Sequence, residues 1–145
     1  MATVDELSQA RLLGVNLKFP LQKDASGNIA VSYGTELVRE SIEMLILTDP
    51  MERPYRVRNG VQYGTRLRRL LFEGFTTAQA IADQDIRRAV AIWEPRVELL
   101  DLTIERSKGA ASGSDDTMVV KLVYRIRSTG QQDFHVVRVS KDAQP

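Results

Sequence analysis

The single histidine, His135, is the first residue to test for chemistry. Asp133 and Ser140 lie near it along the chain, but a Ser-His-Asp site is recognised by geometry and not by sequence proximity. One histidine specifies little, and His135 reads as an ordinary strand residue. Glu94 is the next candidate. It follows Trp93, and an aromatic neighbour can raise a carboxyl group toward general-acid duty. A glycosidase would need a second carboxylate at a suitable distance, for which Glu98 and Asp101 are available. Against this, Arg96 stands two residues away and offers Glu94 an ion-pair partner. Pairing favours the charged carboxylate, the wrong state for an acid. The chain holds no HExxH, Walker loop or GxGxxG, so zinc-protease, nucleotide and dinucleotide readings lack their motifs. No catalytic residue, cofactor or metal is expected.

The basic residues are more informative. Arg53, Arg56, Arg58, Arg66, Arg68 and Arg69 occur in a stretch without a single acid, interleaved with Tyr55 and Tyr63. Arginine and tyrosine are favoured interface anchors, so a protein contact through residues such as Arg53, Arg66 and Arg69 is the preferred reading. A solvated helix face and a nucleic-acid strip are the alternatives. Across the chain 20 basic residues balance 19 acidic ones, which gives no global pull toward nucleic acid or an anionic membrane. Trp93-Glu94-Pro95-Arg96 is the other cluster. Proline lacks an N–H and stops a helix, so the segment reads as a rigid corner that presents charge. Arginine there suits bidentate contact with a carboxylate.

These residues need elements to position them. Residues 1–18 read as a loosely ordered arm, followed by Phe19-Pro20-Leu21 as an extended anchor. A turn at Asp24–Asn28 precedes a short strand, Ile29-Ala30-Val31. Leu37, Val38, Ile42, Leu45 and Ile46 repeat at helical spacing, with Thr35 as N-cap. Asp49-Pro50 ends that helix. Residues 51–64 read as a long loop with Asn59-Gly60 as its clearest turn. A short helix capped by Thr65 buries Leu67, Leu70 and Leu71 and stops at Gly74. A third starts at Thr76 or Thr77, carries Ala82, Ile86, Ala89, Val90 and Trp93, and is supported by an Asp83–Arg87 pair.

From Leu100 the period changes to two. Leu100, Leu102 and Ile104 alternate with polar residues, and Met118 to Arg127 is the clearest strand. Phe134–Val139 is a third strand, with Phe134 and Val136 as candidate partner contacts. Ser107–Asp116 is a Gly/Ser/Ala-rich hairpin loop. The expected class is α+β: about three helices packed on a C-terminal antiparallel meander in a single domain, running from 19 to 140 with a tail at 141–145. Cysteine is absent, which fits a reducing compartment. No apolar run reaches membrane-span or signal length, so cytoplasmic synthesis is the expectation.

In order along about residues 14–127, the chain resembles the GPW or gene-twenty-five-like baseplate wedge proteins of contractile phage tails. Relatives of that family serve type VI secretion baseplates, bacteriocins and extracellular injection systems. The resemblance is carried by Phe19-Pro20-Leu21, Asp24 and Gly27, the helix Glu36–Leu47, and Thr48 before Glu52-Arg53, which is similar to T-x-x-G-E-R. Tyr63-Gly64, Leu67, Leu70-Leu71-Phe72-Glu73 and Trp93-Glu94-Pro95-Arg96-Val97 follow, the last similar to the family's E-P-R motif. Met51 stands where the family usually has glycine, and the stretch from Arg53 to Gly64 is a few residues longer than typical.

The resemblance implies a structural role rather than an enzymatic one. The E-P-R corner would dock on the wedge core bundle around the inner tube. The chain would template the first sheath ring, in six copies, with the sheath subunit and the inner tube or hub as further partners. It implies assembly in the cytoplasm of a bacterial producer and residence in the baseplate of the finished particle. Part of the family carries a lysozyme label, so a muramidase using Glu94 is one alternative. A nucleic-acid-binding module using Arg53–Arg69 is the other.

Overall fold

A computed structural model describes residues 4–107 and 117–140. The Gly/Ser/Ala-rich connection from 108 to 116 and the tail at 141–145 lie outside the described residues. The architecture is α+β, as the sequence implied. By internal contacts the chain divides into two compact units, Met1–Ile42 and Glu43–Pro145.

In the first unit, α1 (Val4–Leu13) is followed by strand β1 (Val15–Leu17), which pairs antiparallel with β2 (Val31–Tyr33). The arm expected without regular structure is therefore a helix and a strand. The cue was Gly14, which has φ +89 and donates its N–H to the Ala10 carbonyl, a left-handed helix stop. Phe19, Leu21 and Ile29 are exposed, so the Phe19-Pro20-Leu21 segment buries little within this chain. The Asp24 carboxylate accepts from the Ser26 and Asn28 amides, which makes the expected turn. The strand expected at 29–31 begins only at Val31.

Helix α2 (Gly34–Leu47) starts one residue before the expected cap and contains the boundary between the two units. Its buried residues, Leu37, Val38, Ile42, Leu45 and Ile46, are those picked out by period. Past its end, residues 51–64 are more ordered than a loop. Asp49 caps a 3-10 turn, Pro50–Glu52, in a reciprocal capping box with Glu52. Strands β3 (Val57–Arg58) and β4 (Val61–Gln62) form a hairpin around Asn59 and Gly60. Both have positive φ, 50 and 72, the combination a two-residue primed turn requires.

Thr65 does not cap the next helix, α3 (Leu67–Leu70). Its hydroxyl instead donates to the Ile46 carbonyl at 2.7 Å and its amide to the Thr48 carbonyl at 2.9 Å. Unpaired carbonyls at the end of α2 need such donors, and that need outweighed a local cap. Gly64 allows the approach: a Cβ there would lie 2.3 Å from the Thr48 oxygen, and its φ is +112. Gly74 does not end α3 but is the N-cap residue of α4 (Phe75–Trp93), which begins one or two positions before the expected start.

Strands β5 (Val97–Ser107), β6 (Thr117–Ile126) and β7 (Gln132–Ser140) make the antiparallel meander, with β6 central. Met118, Val120, Leu122, Tyr124 and Ile126 fill its buried face with Leu102, Ile104, Val137 and Val139. Each fully buried aliphatic side chain contributes about 1.5–3 kcal/mol, so this row anchors the second unit. Leu100, expected inward, is 40% exposed. A register shift between Leu99 and Asp101 makes it the extra residue of a bulge, which reverses the alternation at that point.

Candidate functional site

The end of α4 places the Trp93–Arg96 corner. Pro95 cannot continue the helix, and the Glu94 amide closes it by donating to the Val90 carbonyl at 2.9 Å. The chain turns at Pro95, which is exposed, and enters β5 at Val97. Inside the turn, Glu94 is 2% exposed and accepts two bonds from Arg96, Nε to Oε1 at 2.5 Å and an Nη to Oε2 at 2.6 Å. This is a bidentate fork, the geometry in which arginine and carboxylate match. The carboxylate lifts the Arg96 guanidinium above its ordinary pKa, against the opposing effect of burial. The Arg96 side chain stays about one-third exposed. The corner therefore shows solvent a cation whose counter-charge is hidden beneath it.

The aromatic residues extend this corner. Trp93 donates its indole N–H to the Gln62 carbonyl at 3.2 Å and meets Tyr63 edge-to-face, with ring centroids 5.3 Å apart. The Arg56 guanidinium lies 4.3 Å from the Tyr63 ring centre and 5.4 Å from that of Trp93, and Arg53 lies 5.3 Å from Tyr63. Burial pushes the Tyr63 phenol above its usual pKa, with Arg56 and Arg53 pulling it down less strongly. Arg58 donates to the Ile92 carbonyl at 3.4 Å. Each cation–π contact contributes about 0.5–1 kcal/mol when exposed and more when desolvated.

The structure splits the arginine-rich segment into two sets. Arg53, Arg56 and Arg58 belong to the aromatic corner. Arg66, Arg68 and Arg69 meet acids from outside the acid-free stretch. Arg69 grips Asp49 with bonds of 2.7 and 2.9 Å, while the Arg66 amide and guanidinium reach Asp85 at 2.8 and 3.3 Å. Arg68 stands 3.6 Å from Glu52. Half of the basic strip is thus paired within the chain, which weakens it as a track for phosphates. The partners Asp49 and Asp85 were not picked out as such. Asp49 had a cue, its place three residues before Glu52 in a capping box. Asp85 is nineteen residues from Arg66 and had none.

Phe134 and Val136 lie far from the corner, on β7. Both project from the face of the sheet opposite the buried row, and Phe134, paired across with Val123, is 68% exposed. His135 points the other way and lies 3.2 Å from Glu43. This contact explains its place without a nucleophile. Both Glu94 oxygens accept from Arg96. Of the two carboxylates considered as its partner, Glu98 and Asp101, Glu98 is held by Arg125 at 2.6 Å. Among the described residues no three His, Cys, Asp or Glu side chains come together as a metal site, and no helix is long and apolar enough to cross a membrane.

Solved structures share this fold. A candidate tail lysozyme from Geobacter sulfurreducens superposes with a TM-score of 0.59 at 27% identity, covering 76% of this chain and 93% of that one. A chain of the anti-feeding prophage baseplate, determined by cryo-EM with six-fold symmetry, gives a TM-score of 0.59 at 21% identity, covering 95% and 93%. No curated protein matches the chain significantly. The pattern of the family described as baseplate wedge protein gp25 matches residues 32–131, from β2 through β6. That span is well over half of the sequence, and this protein belongs to the baseplate wedge gp25 family.

Proposed function

We propose that this chain is a structural baseplate protein of a contractile tail or injection system that docks through its Trp93–Arg96 corner on the core bundle of the wedge proteins. The observation that carries this reading is the Glu94–Arg96 fork. A buried carboxylate holds the Arg96 guanidinium in place at the surface, so it meets a partner with little rotamer entropy left to lose. Arg53 is positioned by the Tyr63 ring.

The second part of the proposal concerns the sheet. Among the described residues β7 pairs with β6 along one side only, and an unpaired strand edge accepts a further strand. In this reading β7 exchanges strands with the sheath subunit and so templates the first sheath ring. Phe134 and Val136 cover the added strand from the outer face. Six copies then surround the inner tube or hub. The chain is made and assembled in the producer's cytoplasm before it is locked into the particle.

The test is affinity capture from the native producer with tagged wild-type chain and an Arg96→Ala variant, read by mass spectrometry. Wild type should recover wedge and sheath proteins, and Arg96→Ala should lose the wedge set while keeping the sheath subunit. Recovery of neither by wild type would overturn the reading. Val137→Pro, which removes an amide from β7, should suppress sheath nucleation and spare wedge capture. Peptidoglycan cleavage by wild type that disappears in Glu94→Gln would favour the muramidase instead.

A further inference from the structure

The second unit holds a cleft of about 540 Å³ lined by none of residues 93–96, although Gln62, which accepts the Trp93 indole N–H, borders it. The 3-10 turn and the β3–β4 hairpin form one wall, and α3 and α4 form the other. Its apolar lining comes from Met51, Val57, Val61 and Ala89. Met51 and Val57 are 65% and 52% exposed, so two large apolar side chains stand at the rim without cover from this chain.

The charges on the cleft are of one outward sign. Arg66, Arg69 and Arg88 line it, against a single lining acid, Asp85. The side chains of Arg66 and Arg69 are 54% and 56% exposed, whereas those of their partners Asp85 and Asp49 are only 18% and 13% exposed. The anions are covered and the cations face out. Arg88 is exposed and pairs with no acid among the described residues. A carboxylate entering the cleft would meet Arg88 on the α3–α4 wall, with the exposed faces of Arg66 and Arg69 beside it, and arginine is the residue whose planar fork suits a carboxylate. Apolar side chains beside that carboxylate would cover Met51 and Val57.

The cleft takes one wall from Met51 and the β3–β4 hairpin. We propose that it is a second docking site, one that takes an acidic, apolar-flanked segment of a neighbouring baseplate protein. The inference rests on the baseplate reading for its partner but not on the Arg96 contact.

Its test is site-specific photo-crosslinking in the assembling particle, with benzoylphenylalanine in place of Val57 in the full-length chain. The crosslinked segment, sequenced by mass spectrometry, should contain Asp or Glu within a few residues of the bond. Adding Arg88→Glu should lower the yield at least about tenfold, since reversing a charge opposite a carboxylate costs more than removing it. Arg88→Lys should restore part of it. Thermal unfolding should be unchanged in both variants, because Arg88 has no ion-pair partner among the described residues to lose. A crosslink to nucleic acid, a crosslinked segment without carboxylates, or a yield indifferent to Arg88→Glu would overturn the proposal. So would the absence of any crosslink in particles that assemble normally. Such particles, still dependent on Arg96 for wedge capture, would leave the docking corner intact and remove only the cleft.

Discussion

The buried face of strands β5–β7 is held by apolar side chains, whereas the segment from Asp49 to Arg69 is held largely through polar ones. In the sheet, one face is a continuous apolar row from Met118 to Ile126. In the segment, a capping box, two arginine–aspartate grips and arginines over aromatic rings fix a backbone with only four strand residues. Burial is non-directional and grows with area. Forks and ring contacts are directional and each worth little alone. The sheet is therefore suited to bear load. The segment is suited to vary between relatives, because its contacts can be exchanged one at a time.

That contrast can be broken first in the sheet. Leu122→Ala, at a position 1% exposed on the central strand, should cost about 2–5 kcal/mol. Urea unfolding should show a large drop in midpoint with an unchanged slope. The segment's most sensitive point is backbone and not charge. Gly64→Ala forces a Cβ into the left-handed region and onto the Thr48 carbonyl, and should cost about 1–3 kcal/mol from strain. A loss as large as that of Leu122→Ala would show that the segment carries the fold as much as the sheet does.

The smallest effect is expected at Arg69→Ala, because the arginine is largely exposed and its pair is screened by solvent. It should also alter the acid limb of stability. Burial pushes the Asp49 carboxyl up, but bonds from Arg69 and the Met51 amide outweigh this and leave its pKa below the ordinary value. Such a group stabilises fully above the unfolded carboxylate pKa of about 3.9, and its contribution is lost as pH falls through the lower folded value. Urea midpoints of wild type and Arg69→Ala should therefore converge below about pH 4. A gap that persists into acid would mean that Arg69 acts by packing.

The same contrast explains what was legible in the amino-acid order. Periods of 3.6 and 2 pick out α2, α4 and β6 with their buried residues, because a repeating apolar stripe is a local property of the chain. The expected Asp83–Arg87 pair, four residues apart on one helix, is present at 2.9 Å. Leu100 was misplaced because a bulge changes phase without changing composition. Thr65 was misread because a local cap and a distant carbonyl compete for one hydroxyl, and only the fold decides between them. The arginine-rich stretch was visible as a cluster, but its acids come from Asp49 and Asp85, beyond any local window. The Glu94–Arg96 fork was legible since both partners lie within three residues. Its burial and the aromatic stack around it were not, because they depend on where β4 meets the end of α4.

The bulge at Leu100 bears on how a sheath would grow. It interrupts the strand at one margin of the sheet, whereas β7 at the other margin runs in unbroken register with β6 for nine residues. A kinked margin makes a poor template and a straight one a good one. On the strand-exchange reading the two sides of the seed are therefore not equivalent. On that reading recruitment would proceed from one side only, and a lattice started on this protein would inherit a handed, one-way sense of advance before any sheath subunit had bound.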